Sequence, residues 1–374
     1  MAGENFSLCL ALGGRIYLII MTKKVGIILV NYKEYAERFL APCRDSLRSQ
    51  SYPADSFQVY IIDNASSVDS YDYLTKSYPE AKILKRSDGN YCAANNFGFQ
   101  EAIKDGCEYL VAANMDTEMF PAWLEELVRA LDDEKVGVAQ SKILLFPKNE
   151  AERMTPLINT VGNSLYFLGF GTTSSYNLPD YEIKGYPKIS GYASGCSFIT
   201  RREVYEAIGG WNEEYYMYHD DIEFSLKTRL AGYEVVLAPL SVLFHKYEFS
   251  RSVRMLYYME RNRYLIAFTF YPIKVLILLI PAFVAMSFGL FGFALAKGWL
   301  SAWCRSAAYF WRPSSWRLII KARRDINHLR RQPFRIIMDD MAGKLEFAEV
   351  ENPILRYIAN PLLGFYWQLI KKLS

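Results

Sequence analysis

The chain reads as an α/β protein organised on a parallel sheet, and three observations carry that reading. Val25-Gly-Ile-Ile-Leu-Val30 is a continuous apolar run, as in a strand covered on both faces. Phe57-Gln-Val-Tyr-Ile-Ile62 and the apolar run that opens Glu108-Tyr-Leu-Val-Ala-Ala-Asn-Met-Asp-Thr-Glu118 read as further strands, with helical spacing between them. Two of these strands end in a carboxylate, Asp63 and Asp116, and open α/β sheets bind ligands beyond the carboxyl ends of their strands.

In chain order, residues 1–21 come first as an extension. Ser7 to Met21 is apolar apart from Arg15, but Gly13-Gly14 interrupts it and no basic region precedes it, so it makes a poorly formed signal peptide. The first strand ends at Asn31-Tyr32, and an amphipathic stretch runs from about Glu34 to Gln50. The second strand ends in Asp63-Asn-Ala-Ser66. A short strand near Ile83 precedes Asp88-Gly-Asn-Tyr-Cys-Ala-Ala-Asn-Asn-Phe-Gly98, whose small residues open a helix to about Lys104. After Asp116, the residues Met119, Phe120, Trp123, Leu124, Leu127, Val128 and Leu131 predict a helix at once, with Pro121 in its first turn. Helix capping explains one Asp at such a junction; its repetition at Asp63 and Asp116 calls for more. Strands alternating with helices imply right-handed crossovers.

Val136–Leu145 predicts another strand, and Asn163–Gly185 is a loop-rich connection of Gly, Ser, Thr and Tyr. Ser194-Gly-Cys-Ser-Phe-Ile-Thr-Arg-Arg202 gives a small-residue turn and a short strand. In Gly209-Gly-Trp-Asn-Glu-Glu-Tyr-Tyr-Met-Tyr-His-Asp-Asp-Ile-Glu-Phe224, the glycines make a turn and a helix starts at about Asp220, stopped by Gly232. Adjacent carboxylates at a helix start suit the macrodipole, but that does not account for the aromatic residues and His219 just before them. Val242-Leu-Phe244 ends at His245, and a helix is expected over about 252–271.

Composition bounds the function. Of 374 residues, 51% are apolar and 16% aromatic, and the net charge is +3, which excludes disorder and bulk nucleic-acid binding. The charge is uneven: from Lys246 to Arg335 there are 16 Lys/Arg against Glu248, Glu260 and Asp325. That excess, beside Val275–Ala296 with 22 uncharged residues, points to membrane lipids. Both flanks of that segment are basic, so a re-entrant hairpin turning at Pro281 is favoured slightly over a single span. Leu355–Leu373 reads as an interfacial amphipathic helix. Six scattered cysteines form no disulfide or zinc pattern, which fits a reducing compartment.

Four of these motifs, Val25–Tyr32, Ile62-Asp-Asn-Ala-Ser66, Gly89–Gly98 and Asn114-Met-Asp-Thr117, together resemble the family 2 glycosyltransferases, nearest to their rhamnosyltransferase-like members. The resemblance implies a GT-A fold, a Rossmann-like nucleotide-binding sheet with an acceptor-binding half, over 22–250, followed by a helical membrane-associating region over 251–374. It implies that Asp63 contacts the base or ribose of a nucleotide-sugar donor, dTDP- or UDP-linked, with Asn31, Asn90, Asn95 and Asn114 around it. Asp116 corresponds to the last residue of the metal-binding D-x-D motif, whose first position is Asn114 here. Asp116 and His245 would hold Mg²⁺ or Mn²⁺, hard ions suited to diphosphate oxygens. Asp221 matches the general base, and Asp220 replaces the usual Glu of the acceptor site. The implied reaction is an inverting, hexosyltransferase-type transfer of a sugar, rhamnose at the level of the family resemblance, to a lipid-linked saccharide at the cytoplasmic face of the cell membrane. The alternatives are charging of a polyprenyl phosphate, or a catalytically silent scaffold for glycan assembly; oligomerisation stays open.

The processive members carry Q-x-x-R-W near the place where this chain has Glu260-Arg-Asn-Arg-Tyr264, which argues for addition of one or few sugars. Arg261 and Arg263 there are read either as phosphate contacts or as a solvated helical face.

Overall fold

The sheet grows from the apolar runs just described. In the computed structural model, which describes residues 7–12, 15–20, 24–246, 253–345, 353 and 355–374, nine strands form one sheet. They are β1 (Val25–Tyr32), β2 (Phe57–Asn64), β3 (Lys82–Arg86), β4 (Tyr109–Ala113), β5 (Thr117–Met119), β6 (Val136–Leu145), β7 (Ile158–Thr160), β8 (Ser197–Arg201) and β9 (Glu234–His245). Their order is β3-β2-β1-β4-β8-β6-β9-β5, with β7 paired to β6. Ser7–Leu12 and Arg15–Ile20 form a separate antiparallel ribbon; the rest of the expected 1–21 extension, residues 1–6, 13–14 and 21, lies outside the described residues.

The parallel half is as expected: β1 pairs in parallel with β2 and β4, and β2 with β3. The sheet as a whole is mixed, which corrects the purely parallel expectation. β8 is antiparallel to both β4 and β6, and β5 is antiparallel to β9. The reason is the route of the chain. No helix crosses the sheet between Thr173 and Ser197, so β8 enters from the end at which its neighbours finish.

Helices α1 (Tyr35–Arg48), α2 (Val68–Ser77), α3 (Tyr91–Lys104) and α4 (Trp123–Arg129) connect the strands. Met119 and Phe120 are strand and turn rather than helix, because β5 takes up the edge of β9 before α4 begins. Alternation along β1 sends Val25, Ile27 and Leu29 into a core with Leu40 and Trp123, and Ile28 into a second core with Phe99 and Phe224. Gly98 lets α3 approach the sheet: a Cβ there would lie 2.8 Å from the side chain of Ile28.

Beyond α5 (Asp220–Leu230) and β9 the chain is helical: α6 (Val253–Phe270), α7 (Ile273–Ala296), α8 (Leu300–Tyr309), α9 (Pro313–Leu329) and α10 (Asn360–Leu373). Ile266, Phe270, Leu279, Ile319 and Trp367 join the same core as Phe99 and Phe224, so this region is fused to the sheet rather than hung from it. α7 runs unbroken through Pro281, Gly289 and Gly292. The expected reversal at Pro281 is therefore absent; the chain turns after α7, at Gly298, where φ is 72°.

Candidate active site

Two walls face the carboxyl ends of β1, β2 and β4. On the first, Asn31 and Asp63 stand opposite each other across the parallel pair β1–β2. The Asn31 amide donates to Asp63 Oδ1 at 2.8 Å, and its oxygen accepts from Ala36 N at 2.9 Å. Asp63 Oδ2 accepts from the hydroxyls of Ser66 and Ser70, at 2.5 and 2.8 Å. Both residues are fully buried, so the Asp63 carboxylate ties together the turns that follow β1 and β2. Asn90 caps α3, accepting from Ala93 N at 3.1 Å and donating to Glu213 O at 2.9 Å. Asn95 is buried and donates to Tyr91 O at 3.0 Å. The Tyr91 hydroxyl in turn donates to Asn114 Oδ1 at 3.2 Å.

The strand pairing of β5 with β9 places Thr117 opposite His245, which brings Asp116 beside the imidazole. Asp116 Oδ2 lies 3.3 Å from His245 Nε2, and His245 Nδ1 lies 2.9 Å from Asn159 Oδ1. An amide oxygen only accepts, so Nδ1 carries the proton and Nε2 faces Asp116. Burial pushes the Asp116 carboxyl up, but hydrogen bonds from His245 and Tyr35 outweigh it and hold the pKa below its ordinary value. Burial opposes charge on His245, yet Cys196 and Asp116 hold its pKa above the ordinary value. Asp116 Oδ1 is buried with no hydrogen-bond partner. Among the described residues no three His, Cys, Asp or Glu side chains converge on one point. An unsatisfied buried carboxylate oxygen next to an imidazole oriented from behind by an amide is still a fit for a hard divalent ion completed by phosphate and water oxygens.

The second wall is α5 and the turn before it. Tyr216, Tyr218 and His219 all have positive φ, at 66°, 63° and 61°, each costing on the order of 1–3 kcal/mol for a non-glycine residue. The strain is held in place by α6. Arg261 Nη2 donates to Glu214 O and Tyr215 O, at 2.6 and 2.9 Å. The Asn262 amide lies 2.9, 2.9 and 2.7 Å from the carbonyls of Tyr215, Met217 and Tyr218. Arg263 is fully buried, in a two-point ion pair with Glu260 at 2.5 and 3.0 Å and a bond to Leu168 O at 3.2 Å. Arg261 and Arg263 are thus neither solvated nor aimed at phosphates; both expectations give way to a buried brace.

The braced turn delivers the acidic pair. Asp220 is buried, whereas Asp221 is half-buried, its carboxylate accepting from Ile222 N at 2.9 Å and Gly195 N at 3.4 Å. Burial raises the pKa of both: Asp220 to about 8, with the neighbouring Asp221 charge adding to it, and Asp221 to about 6, restrained by those two N–H donors. Of the two, Asp220 is pushed harder toward its protonated form, because it is the more deeply buried and feels the Asp221 charge. The walls meet at Gly195-Cys196: Gly195 N reaches Asp221, while Cys196 O accepts from Asn114 N at 2.8 Å.

Asn31, Asp63, Asn114, Asp116 and His245 therefore gather on one wall and Asp220 and Asp221 on the other, while Asn90 and Asn95 fasten α3 between them. Tyr35, Tyr91, Asn159 and the Arg261–Asn262 brace carry no sequence signal of their own.

This architecture is the GT-A fold, and the crystal structure of GalNAc-T7 with UDP, GalNAc and Mn²⁺ superposes on it with a TM-score of 0.53 at 13% identity, over 69% of this chain and 50% of that one. More particularly, residues 26–209 match the family Glycosyl transferase family 2, and the chain carries a domain of that family. It is 29% identical to the O-antigen biosynthesis protein RfbC of Myxococcus xanthus, over 63% of this chain but only 18% of that protein. It is 26% identical to an N-acetylglucosaminyl-diphospho-decaprenol L-rhamnosyltransferase of Mycobacterium tuberculosis, over 60% of this chain and 77% of that one.

Proposed function

We propose that the protein transfers one sugar, with inversion, from a nucleoside-diphosphate donor to a hydroxyl of a lipid-linked saccharide during cell-surface polysaccharide synthesis. A dTDP- or UDP-sugar is the donor class, rhamnose the sugar suggested by the decaprenol-linked relative. The observation that carries this reading is the adjacency at Gly195-Cys196, which sets a half-buried carboxylate facing the wall where Asn114 and Asp116 lie.

Asp221 acts as general base: it takes the proton of the acceptor hydroxyl as that oxygen attacks the anomeric carbon from the face opposite the nucleotide. Asp220, protonated, lends no second charge to the pair. Asp116 and His245 would hold Mg²⁺ or Mn²⁺, which neutralises charge on the departing diphosphate. Asn31 and Asp63 hold the turns against which the base and ribose rest. The enzyme works attached to the cytoplasmic face of the membrane, where its lipid-borne acceptor lies.

The test is Asp221→Asn in the full-length protein. Transfer falls by about 10²–10⁴-fold while binding of the nucleoside diphosphate, measured by calorimetry, is unchanged. Undiminished transfer would remove Asp221 from the role of base.

A further inference from the structure

We propose that α7 and α10 form an interfacial face that lies in one leaflet of an anionic bilayer, with α7 parallel to the membrane plane and not across it. This refines the membrane attachment proposed above and concerns its geometry. Ile273, Ile277, Ile280, Val284, Phe288 and Leu295 are all exposed and follow one another at three-, four- and seven-residue steps, so they form a single stripe along α7. The opposite face, Val275, Leu279, Ala282 and Ala294, is buried against the protein. α10 packs beside α7, with the Tyr366 hydroxyl donating to Leu278 O. It adds a second exposed stripe, Leu362, Phe365 and Leu369, of which Phe365 is 76% exposed.

Length alone would allow α7 to span: its 24 residues rise about 36 Å against a hydrocarbon core of about 30 Å. Its tethers forbid it. At its start, Arg323 Nη2 donates to Tyr271 O at 2.6 Å and Val275 is buried. At its end, Trp299 N bonds back to Ala294 O at 2.7 Å, and α8 then runs 10 residues to Tyr309, whose hydroxyl donates to Glu214 Oε1 at 2.8 Å. Ten helical residues rise only about 15 Å, half of the hydrocarbon core, and Glu214 belongs to the braced turn of the catalytic wall. Both ends of α7 are therefore held on the catalytic side.

The occupant of the face is a lipid surface and not a second protein, because cations rim it. Lys274 and Lys297 are exposed at the two ends of α7, and Arg305, Arg312 and Arg317 are exposed on the helices that follow. Trp311, 86% exposed beside them, suits the headgroup boundary. An apolar stripe with a basic border is the pattern of an in-plane helix.

The experiment has two readouts on the full chain. In co-sedimentation, the protein binds phosphatidylcholine vesicles containing phosphatidylglycerol, and the double substitution Phe288→Glu, Phe365→Glu weakens binding at least about tenfold with unchanged melting temperature. In membrane vesicles of either orientation, Gly298→Cys in a Cys9→Ser, Cys304→Ser background, whose remaining thiols are buried, is labelled by an impermeant maleimide only from the side bearing the catalytic region. Absence of vesicle binding would overturn attachment as a whole. Binding with labelling from the opposite side would overturn only the in-plane geometry and restore a span. A dimer that the double substitution dissolves, without lipid binding, would assign the face to self-association and overturn the proposal.

Discussion

The side-chain amide of Asn262 lies 2.7 Å from the carbonyl of Tyr218, 44 residues earlier in the chain and two residues before the acidic pair. Substituting Asn262 by Ala leaves the carbonyls of Tyr215, Met217 and Tyr218 without this donor, and the three left-handed residues held only through the Arg261 bonds to Glu214 O and Tyr215 O. We expect kcat to fall at least about tenfold, because small misplacement of a base is costly, while the KM for donor stays within about twofold. Stability should fall by about 1–3 kcal/mol, measured by urea unfolding. Wild-type kcat in Asn262→Ala would mean that the turn holds without the brace.

The pH dependence follows from Asp221. Its pKa, raised by burial to about 6, makes the ionised form of this proposed base scarce below that pH. The rate under subsaturating donor and acceptor should therefore rise with pH through about 6 and level off above it. A rising limb centred near the ordinary Asp value would contradict the burial of this carboxyl.

Asp220 predicts the opposite trend for stability. Its native pKa, about 8, lies above the ordinary value of 3.8, so between these limits the folded chain holds a proton that the unfolded chain releases. Its contribution is most favourable below about pH 4 and declines as pH rises to about 8. Asp220→Asn removes that decline. The melting temperature of the variant minus that of the native protein should grow with pH across this window; a constant difference would refute the shift.

Metal affinity should depend on Asp116 and on what stands behind His245. In calorimetric titration of Mn²⁺ with nucleoside diphosphate present, Asp116→Asn should abolish measurable binding, and Asn159→Ala should weaken it about tenfold by releasing the imidazole orientation. Unchanged Mn²⁺ binding in Asp116→Asn would place the ion elsewhere.

The wall at the strand ends was legible in the sequence because its signals are local. Apolar runs that stop at Asn31, Asp63 and Asn114 mark strand ends, and strand ends mark the cleft. His245 was legible for the same reason. The wall of the acidic pair was legible only as a motif: Asp220 and Asp221 stand out, but not what holds them. Helical periodicity groups Arg261 and Asn262 with their neighbours on α6, yet their partners are backbone carbonyls of residues 214–218, and a carbonyl has no sequence signature. The antiparallel entry of β8 has no sequence signature either, since a buried five-residue strand reads the same in either direction. Tyr35 and Tyr91 look like core aromatics on amphipathic helices until their hydroxyls are placed.

The family match ends at residue 209, whereas the proposed base is Asp221 and the amide that holds its turn is Asn262. The unit that must be inherited together is thus longer than the recognisable family domain. A chimera that keeps residues 26–209 and exchanges the remainder would trade away base, turn and brace together. Grafting α6 alone beneath a foreign turn would set its amide against mismatched carbonyls. Recombination among such enzymes should select against junctions that fall between Gly209 and Phe270, where the acidic pair would be parted from the amide that holds its turn.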